Sequence, residues 1–470
     1  MNESPMILRD KKNPCDALYE ALVGSKPGES SPLEKVALLL AALVALFAFL
    51  QSCKDLSKYP GADLRTRIVS TRIMMEGGDP YFGALDVKAP ERLNDVLRTS
   101  VDHGIAGYTP ALLMVTVPMA LPPYRVTRFA TGIISWILLA GTIVVLSRVC
   151  PAGRPRLMFL VASLAGFAAS QFWRLHVERG QYYICILAPL ALVLYWLLNS
   201  PKRTWPAACL FGVAFVFRPT LIVLPILLWI AGQRRMAWQS AVIGVLLVAA
   251  SIPLYGVNRW IDMAKSTRAY QEGLMFEEEI HSKWHMVEAR SGFAEGYYYD
   301  ENAGLKSYSM NLTIDHMLGS LVKRFSLSYA KFHWLTRISS VLALGVFAAS
   351  AIQVRRFAKS GVGLRYQLAF MFLAFNLLDH LVPVYYSYGD ILLLLPLALL
   401  LPDIIDLRTP VLFLAAVVGG IVIGQGFLLE YSVSVPAYAR FFALCGGMLV
   451  FTCWRARQPE HAFDARNGTT

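Results

Sequence analysis

The chain has 470 residues and a formal net charge of +12; 56% of its residues are hydrophobic and only 16% are charged. Soluble globular domains carry about 25% charged residues, whereas this chain repeats apolar runs of about 17–25 residues, the length that a helix needs to cross a bilayer. These features exclude an ordinary soluble domain and predict an all-α polytopic membrane protein. Its positive charge is explained by cytoplasmic loops, so we expect no nucleic-acid partner.

The N-terminal segment, residues 1–33, is polar and has no signal-peptide layout, so we expect it to be cytoplasmic and to precede a retained membrane anchor. The anchor "VALLLAALVALFAFL" has no polar face, as expected for a transmembrane helix. We predict one transmembrane domain over residues 34–453 and a cytoplasmic tail over 454–470. The predicted spans are 34–53, 124–148, 157–173, 182–198, 205–217, 219–232, 238–255, 334–353, 366–382, 389–402, 410–427 and 435–453.

The short spans on either side of Arg218-Pro219 fix the predicted orientation. With the N-terminus inside, basic residues concentrate in the inner loops, as the positive-inside rule requires. Merging the two short spans would move the later basic loops outside. The basic residues predicted inside are Arg148, Arg154, Arg156, Lys202, Arg203, Arg234, Arg235, Arg355, Arg356, Lys359, Arg365, Arg408, Arg455 and Arg457. Those predicted in short outer loops are Arg174, Arg179 and Arg218.

Two long segments, residues 54–123 and 256–333, then lie on the outer face. Both are rich in charge, glycine and tyrosine. Loops of this size with embedded helices favour chemistry at the membrane–water boundary. Within the first loop, residues 108–121 are apolar but short and have prolines near both ends, so we expect a re-entrant or interfacial piece.

The stretch "SKYPGADLRTRIVSTRIMMEGGDPYFG" contains a helical pattern that begins at Asp63. Leu64 and Ile68 lie on one side of that helix, and Arg65 and Arg72 lie on another, which predicts a helix lying on the membrane surface. Asp63 has two compatible interpretations. It is an N-cap that accepts backbone N–H groups, or a functional carboxylate at the entrance of the helix.

Polar groups also stand at the outer ends of two later spans. The first group precedes or begins "ERGQYYICILAPLAL" and consists of Arg174, His176, Glu178 and Arg179. The second is Arg218, which lies within "FVFRPTLIVLPILL". A lone arginine at a helix end usually reaches toward the headgroups. Arg218 instead interrupts two short helices, and we expect it to need an anionic partner such as a lipid phosphate.

The stretch "NLLDHLVPVYYSYGDILLLLPL" places several ionisable and aromatic groups at one outer turn. Ionisable groups this close to an apolar region are expensive unless they are paired or functional. Pairing among themselves and a functional role therefore both remain open. The residues concerned are Asp379, His380, Tyr385, Tyr386, Tyr388 and Asp390.

In this order, the motifs resemble glycosyltransferase family 87, membrane enzymes of the GT-C fold that include mycobacterial phosphatidylinositol mannoside mannosyltransferases. "ADLRTRIVSTRIMMEGGDPY" resembles the family's acid and its following "G-x-[ND]-P-Y", and "YTPALLMVTVPMALPP" resembles its proline-rich element. "ERGQYYICIL" is similar to its "GQ-N" helix start, with two tyrosines where Asn is usual. "FRPTLIVLPILL" is similar to its "K-P" element, and "MNLTIDHMLGSLVKRF" to its "NQSL…R". Tyr388-Gly389-Asp390 stands where the family often has Trp-Asp-His.

The resemblance implies a GT-C-like bundle of about 12 transmembrane helices with extracytoplasmic loop helices. It implies inverting transfer of a sugar, mannose or a similar one, from a polyprenyl-phosphate donor to a lipid or glycan acceptor, in the cytoplasmic (inner) membrane of a bacterium. No metal or cofactor is expected. By analogy Asp63 is the catalytic base, and the donor phosphate is bound by Arg218, Arg179, His176 and Gln181. The other residues expected to bind substrate are Arg65, Asp79, Tyr81, Tyr108, Asn311, His316, Tyr386, Tyr388 and Asp390.

Two other functions remain open from the residues alone. A transporter or flippase of lipid-linked sugars would use the same intramembrane charges, but the two halves of the chain show no internal repeat of the kind common in transporters. A surface-polysaccharide polymerase or ligase would share the large outer loops. Tyrosine clusters such as Tyr385-Tyr386 fit sugar stacking and interfacial anchoring equally well.

Overall fold

The computed structural model describes residues 14–24, 32–58, 61–81, 108–200, 202–275, 333–381, 391–406 and 446–454. Every regular element in these ranges is helical. In chain order the helices are α1 (Pro14–Val23), α2 (Pro32–Lys58), α3 (Ala62–Met75), α4 (Pro110–Ala120), α5 (Tyr124–Ser147), α6 (Arg154–Val161), α7 (Gln171–Arg179), α8 (Ile184–Asn199), α9 (Thr204–Phe217), α10 (Val223–Ile230), α11 (Arg234–Tyr255), α12 (Val257–Met275), α13 (His333–Lys359), α14 (Leu364–Leu381) and α15 (Leu394–Asp406).

Long apolar helices support the predicted all-α membrane protein. In the described part of the chain, four are long and apolar enough to cross a membrane: Pro32–Ser57, Tyr124–Ser147, Arg234–Tyr255 and Ser340–Lys359. Shorter apolar helices are Pro110–Ala120, Ile184–Asn199, Thr204–Phe217, Thr220–Ile230 and Ile391–Leu401. Predicted span 410–427 and most of 435–453 lie outside the described residues. The count of twelve, the GT-C arrangement, the orientation and the domain boundaries therefore stay predictions.

The span predicted over residues 157–173 is helical only as far as Phe167. Helix α6 ends at Val161 and passes into one π-helical turn, Ala162–Phe167. The chain then breaks, and Ser170 starts α7, because its hydroxyl accepts the Trp173 backbone N–H at 3.2 Å as an N-cap. This break makes α7 a separate short helix, which carries the polar residues of "WRLHVER".

The predicted interruption at Arg218 is confirmed. Helix α9 ends at Phe217, and the Arg218 backbone is extended, with φ −144° and ψ 100°. Pro219 follows and begins a 3₁₀ turn, Pro219–Ile222, that leads into α10. Proline disfavours helical geometry in the residue before it, so the sequence itself dictates this break.

The core consists of apolar side chains from the helices around α8. Helix α8 packs against α5 and α9, and α9 packs in turn against α11. Leu187, Leu190, Phe211 and Phe375 are among the side chains that are essentially closed to solvent. Between helices in a membrane such contacts stabilise by van der Waals packing rather than by removal of apolar surface from water, and this packing holds the N-terminus of α8 and the end of α9 in fixed positions.

The helix predicted after Asp63 is present as α3, but its arginine side is buried in the protein, and its position on the membrane surface stays a prediction. Both of its sides are covered, since Leu64 and Ile68 are 0% exposed and Arg72 is 7% exposed. Helix α4 packs along α3, with α5 and α7 also in contact. Arg72 is tolerated there because its guanidinium donates to the carbonyl oxygens of Ala120 and Pro122, both at 2.9 Å, at the C-terminal end of α4.

Candidate active site

The Asp63 carboxylate joins the start of α3 to the turn between α7 and α8. Its Oδ2 accepts from Arg179 Nε and Gln181 Nε2, and its Oδ1 accepts from Arg179 Nη2 at 3.0 Å. The Asp63 and Arg179 side chains are 19% and 15% exposed. The N-cap interpretation of Asp63 is wrong. Gly61 is the N-cap of α3, without a side-chain capping bond, and Asp63 lies in the first turn with its carboxylate committed elsewhere.

Two glycines make this close approach possible. Gly61, with φ +74°, precedes α3, and Gly180, with φ +70°, ends α7. A Cβ on Gly180 would lie 2.5 Å from the Leu64 Cβ, and one on Gly61 would lie 2.8 Å from Arg128 Nε. Both positions thus need the left-handed backbone that glycine adopts freely and the space that a side chain would fill. Arg128 also donates to the Val177 and Glu178 carbonyl oxygens at the end of α7.

Arg67 is a site residue that the sequence reasoning missed. It lies one turn after Asp63 on α3, is 2% exposed, and donates from Nη2 to the Gly180 carbonyl oxygen at 3.2 Å. Its guanidinium carbon lies 5.2 Å from the ring centre of Tyr108 and 4.8 Å from that of Tyr182. A buried cation between two aromatic faces is stabilised by the ring quadrupoles. The available signal was the i, i+4 spacing from Asp63, which places both residues on one helix face.

Residues predicted to bind substrate connect this site to both outer loops. The Tyr108 hydroxyl donates to the Asp63 carbonyl oxygen at 3.0 Å, and the Tyr81 hydroxyl donates to the Tyr108 carbonyl oxygen at 2.8 Å. Burial raises the pKa of Tyr108 above its usual value, so its hydroxyl stays a donor. Asp79 accepts the Tyr81 backbone N–H at 2.9 Å and pairs with Arg259 of α12 at 3.3 Å. The "GGDPY" turn thereby links the two loops.

We call Arg218 and Asp379 the Arg218 pair. Arg218 Nε donates to Asp379 Oδ1 at 2.8 Å, and Arg218 Nη1 donates to the Tyr183 hydroxyl at 2.6 Å. Thr220 Oγ1 donates to the same Oδ1 at 2.9 Å. The expected anionic partner of Arg218 is therefore a carboxylate of the chain. Asp379, which we considered as pairing within its own turn, pairs instead with a residue at the α9–α10 break.

Tyr182 and Tyr183 connect the two charged regions. Their rings stack with centroids 5.3 Å apart and an interplanar angle of 8°. Tyr182 faces Arg67 on one side, and Tyr183 lies 5.4 Å from the Arg218 guanidinium carbon on the other. The tyrosine pair thus fills the space between the Asp63 site and the Arg218 pair.

A family model described as glycosyltransferase family 87 matches residues 107–378, more than half of the chain. The chain belongs to glycosyltransferase family 87. It is therefore a membrane glycosyltransferase. The matched region contains Arg179, Gln181 and Arg218, whereas Asp63 and Asp379 lie outside it and contact residues within it. No curated protein matches the chain.

His176 of this family 87 enzyme is not placed as a phosphate-binding cation. It is 1% exposed and stacks on Trp173, with ring centres 4.8 Å apart. Neither ring nitrogen has a hydrogen-bond partner among the described residues. Burial, together with the charge of Arg67, lowers the pKa of His176 to about 3. Its buried, apolar position favours the neutral imidazole and argues against His176 as the phosphate-binding cation that we expected.

Of the other residues predicted to bind substrate, one is buried in the described part of the chain and the rest lie outside the described ranges. Arg65 is 7% exposed on α3 and lies near Tyr124. Within the described residues, no group of three His, Cys, Asp or Glu side chains is placed to hold a metal ion. The residues outside the described ranges are Asn311, His316, Tyr386, Tyr388 and Asp390.

Proposed function

We propose that the enzyme moves a sugar, mannose or a similar one, from a polyprenyl-phosphate donor to a hydroxyl of a lipid or glycan acceptor. The reaction takes place on the extracytoplasmic face, inverts the anomeric centre and needs no metal, and Asp63 is its base. The observation that carries this proposal is the geometry of Asp63. Its carboxylate is held by three hydrogen bonds from Arg179 and Gln181 and is still 19% exposed.

Asp63 suits the base of an inverting transfer because an acceptor hydroxyl must lose its proton as its oxygen attacks the anomeric carbon. The new carbon–oxygen bond forms on one face of the sugar while the bond to the donor phosphate breaks on the other. Of the two carboxylate oxygens, Oδ2 accepts two of the described hydrogen bonds and Oδ1 accepts one. Oδ1 therefore keeps a lone pair, and we assign proton acceptance to it.

Arg179 is the cation best placed to stabilise the leaving polyprenyl phosphate. It lies beside the base, is 15% exposed and is pre-positioned by the bond to Asp63. Fixed positive charge at a developing phosphate lowers the barrier without reorganisation. Arg218 is instead paired with Asp379, a carboxylate that is 0% exposed and remote from solvent, so we assign Arg218 to the architecture that supports the site.

The test uses purified enzyme in phosphatidylcholine vesicles with polyprenyl-phosphate mannose and a panel of lipid and glycan acceptors. We expect release of polyprenyl phosphate, and Asp63→Asn should lower its rate by about 10²–10⁴-fold, the usual contribution of a general base. The matched control is Asp55→Asn, since Asp55 accepts from Arg174 Nε at 2.7 Å and from Gln51 at 3.3 Å but is only 3% exposed.

Full turnover by Asp63→Asn would overturn the assignment of the base. Equal losses in both variants, measured per folded molecule, would show that the effect comes from breaking a structural ion pair. A chelator should leave the release of polyprenyl phosphate unchanged. If a chelator abolished activity and an added divalent cation restored it, the metal-free proposal would be contradicted.

A further inference from the structure

The Arg218 pair is a buried ion pair, since the side chains of Arg218 and Asp379 are 11% and 0% exposed. Removing two charges from water is costly, so such a pair is weak evidence for stability and calls for another role. Asp379 Oδ1 accepts from Arg218 Nε at 2.8 Å and from Thr220 Oγ1 at 2.9 Å. These bonds fix the guanidinium, and its Nη1 is thereby directed at the Tyr183 hydroxyl.

Tyr183 receives this fixed donor at the turn that leads into α8. Its hydroxyl accepts from Arg218 Nη1 at 2.6 Å, and the residue is 3% exposed. Tyr183 immediately precedes α8 and lies two positions after Gln181, which donates to Asp63. The hydrogen bond fixes the direction in which the ring points, whereas a phenylalanine here would be held by packing alone.

The Tyr182 ring connects Tyr183 to α3. It stacks on the Tyr183 ring with centroids 5.3 Å apart, and the Arg67 guanidinium carbon lies 4.8 Å from its centre. Arg67 in turn donates from Nη2 to the Gly180 carbonyl oxygen at 3.2 Å. Gly180 lies between the two residues that hold the candidate base, so contacts run from the buried ion pair to the site.

The turn between α7 and α8 is short, so its side chains do not move independently. Residues 180–183 join the two helices and include Gln181 and both stacked tyrosines. Gln181 donates to Asp63 from its side chain and to the His176 carbonyl oxygen from its backbone N–H, the latter at 2.8 Å. Displacement of the tyrosine rings therefore alters the donor geometry at the candidate base, where a misplacement of about 1 Å can lower the rate about 10²-fold.

We propose that Tyr183 is a positioning residue for the Asp63 base and that its hydroxyl is the group responsible. Arg218, held by Asp379, fixes this hydroxyl, and the stack of Tyr183 on Tyr182 transmits the fixed orientation to the α7–α8 turn. The kinetic part of this inference rests on the transfer reaction proposed above. Its structural part, the order of the turn, does not.

Tyr183→Phe removes the hydroxyl and keeps the stacked ring. We expect about a tenfold lower kcat with KM unchanged, because a looser base affects the transition state more than the binding of substrate. The measurement is the rate of polyprenyl-phosphate release per folded molecule over a range of donor concentrations. An unchanged kcat in Tyr183→Phe, or a rise in KM alone, would overturn the proposal.

The matched control is Tyr19→Phe. Tyr19 is 5% exposed, and its hydroxyl also meets a charged group, since it donates to Glu34 Oε2 at 3.5 Å. It lies near the far end of α5: Arg128 at the start of α5 contacts the end of α7, whereas Arg148 after its end donates to the Ala21 carbonyl oxygen of α1. The two ends are about 30 Å apart at 1.5 Å per residue. Tyr19→Phe should therefore keep its kcat, and equal losses in both variants would overturn a specific role for the Tyr183 hydroxyl.

A double-mutant cycle tests whether Tyr183 and Arg67 hold the same turn. If they do, Tyr183→Phe combined with Arg67→Lys should lower kcat by little more than either change alone, about tenfold and not about a hundredfold. Losses that multiply would show that the two residues act independently and would overturn the proposed connection, as would an unchanged kcat in Arg67→Lys.

Amide hydrogen exchange distinguishes a failure of this inference from a failure of the proposed reaction. Exchange over the α7–α8 turn of the full-length enzyme is followed by mass spectrometry. The Gln181 N–H should exchange about tenfold faster in Tyr183→Phe and at the wild-type rate in Tyr19→Phe, because local opening of the turn becomes easier. Faster exchange in Tyr183→Phe, together with a wild-type enzyme that transfers no sugar, would support the positioning role and overturn the reaction. Unchanged exchange would overturn the positioning role.

Discussion

Helix α7 carries two nearly identical charged arrangements, one at each end. Near its start, Asp55 accepts two bonds from Arg174, at 2.7 and 3.3 Å, and one from the Gln51 amide. At its end, Asp63 accepts two bonds from Arg179 and one from the Gln181 amide. The Asp55 side chain is 3% exposed and that of Asp63 is 19% exposed.

The comparison teaches that residue type and pairing do not distinguish a structural aspartate from a reactive one. The Asp55 arrangement joins α2 to α7, and its amide donor is Gln51, which lies one turn before Asp55 on α2. The Asp63 arrangement is instead built across two tight glycine turns, lies against Arg67 and Tyr108, and reaches solvent. Exposure and neighbours, rather than the ion pair, make Asp63 the candidate base.

Gly180→Ala should break the Asp63 arrangement and leave the Asp55 arrangement intact. The new methyl group would lie 2.5 Å from the Leu64 Cβ at a φ of +70°, so the turn must move and take Arg179 and Gln181 away from Asp63. We expect about a 10³-fold loss of transfer, since base and substrate lose alignment. The measurement is the rate of polyprenyl-phosphate release per folded molecule.

The control for this variant is Gly361→Ala. Gly361 follows the end of α13 with a similar φ of +73°, but a Cβ there meets nothing within 4 Å. Alanine disfavours a left-handed backbone, so this control variant should lose about 1–2 kcal/mol in its free energy of unfolding. Its transfer activity should be retained. Equal activity losses in both variants would mean that backbone strain alone inactivates the enzyme.

Lysine substitutions should sharpen the contrast between the two arginines. Lysine cannot bind a carboxylate through two parallel N–H groups. We expect Arg179→Lys to lower transfer by about 10²-fold, the usual effect of losing one donor near a developing charge. Arg174→Lys should leave transfer nearly unchanged and lower the melting temperature slightly. A larger activity loss in Arg174→Lys would reverse the assignment of the two arrangements.

His176 lies between the two arrangements and should make stability depend on pH. Burial lowers its pKa to about 3 in the folded state, whereas an unfolded histidine titrates near 6.5. The unfolded chain therefore binds more protons as pH falls below about 6.5, and stability is lost in that direction. At pH 5 the loss is on the order of 2 kcal/mol.

Thermal unfolding in detergent at pH 7.5 and pH 5 measures this effect. His176→Phe keeps an aromatic ring against Trp173 and removes the titrating group, so its melting temperature should fall less between the two pH values. An unchanged fall in His176→Phe would show that another group is responsible for the pH dependence.

Local features of this site were predictable, and its long-range contacts were not. The sequence identified Asp63, Arg179 and Gln181 individually, and it located the break at Arg218, because proline and helix periodicity act over a few residues. The contact between Asp63 and Arg179 joins residues 116 positions apart, and no single sequence encodes such a distance. Asp55 escaped notice for the same reason.

Burial of charge was the other source of error. Arginine is usually a surface residue, so Arg65 and Arg72 suggested a polar face on the helix that is now α3. The structure buries both, each 7% exposed, and Arg72 donates to the Ala120 carbonyl oxygen at the end of α4. His176 was likewise expected among the donor-phosphate ligands by analogy with the family, whereas its buried, apolar surroundings favour the neutral imidazole. These outcomes depend on what packs around the side chain, which periodicity does not report.

Arg67→Lys should have the smallest effect and should decide whether Arg67 positions the site. Lysine retains the charge but loses the stack between Tyr108 and Tyr182 and weakens the bond to the Gly180 carbonyl. Because Gly180 lies between Arg179 and Gln181, we expect about a tenfold lower kcat with KM unchanged, since a looser base affects the transition state more than substrate binding. The matched control is Arg72→Lys, on the same helix, similarly buried and bound to the Ala120 carbonyl at 2.9 Å. Both variants should lower the free energy of unfolding by similar amounts, and only Arg67→Lys should lower kcat. If the two variants had the same kcat, Arg67 would be a packing residue. Gly180 alone would then link the packing of α3 to the orientation of Asp63.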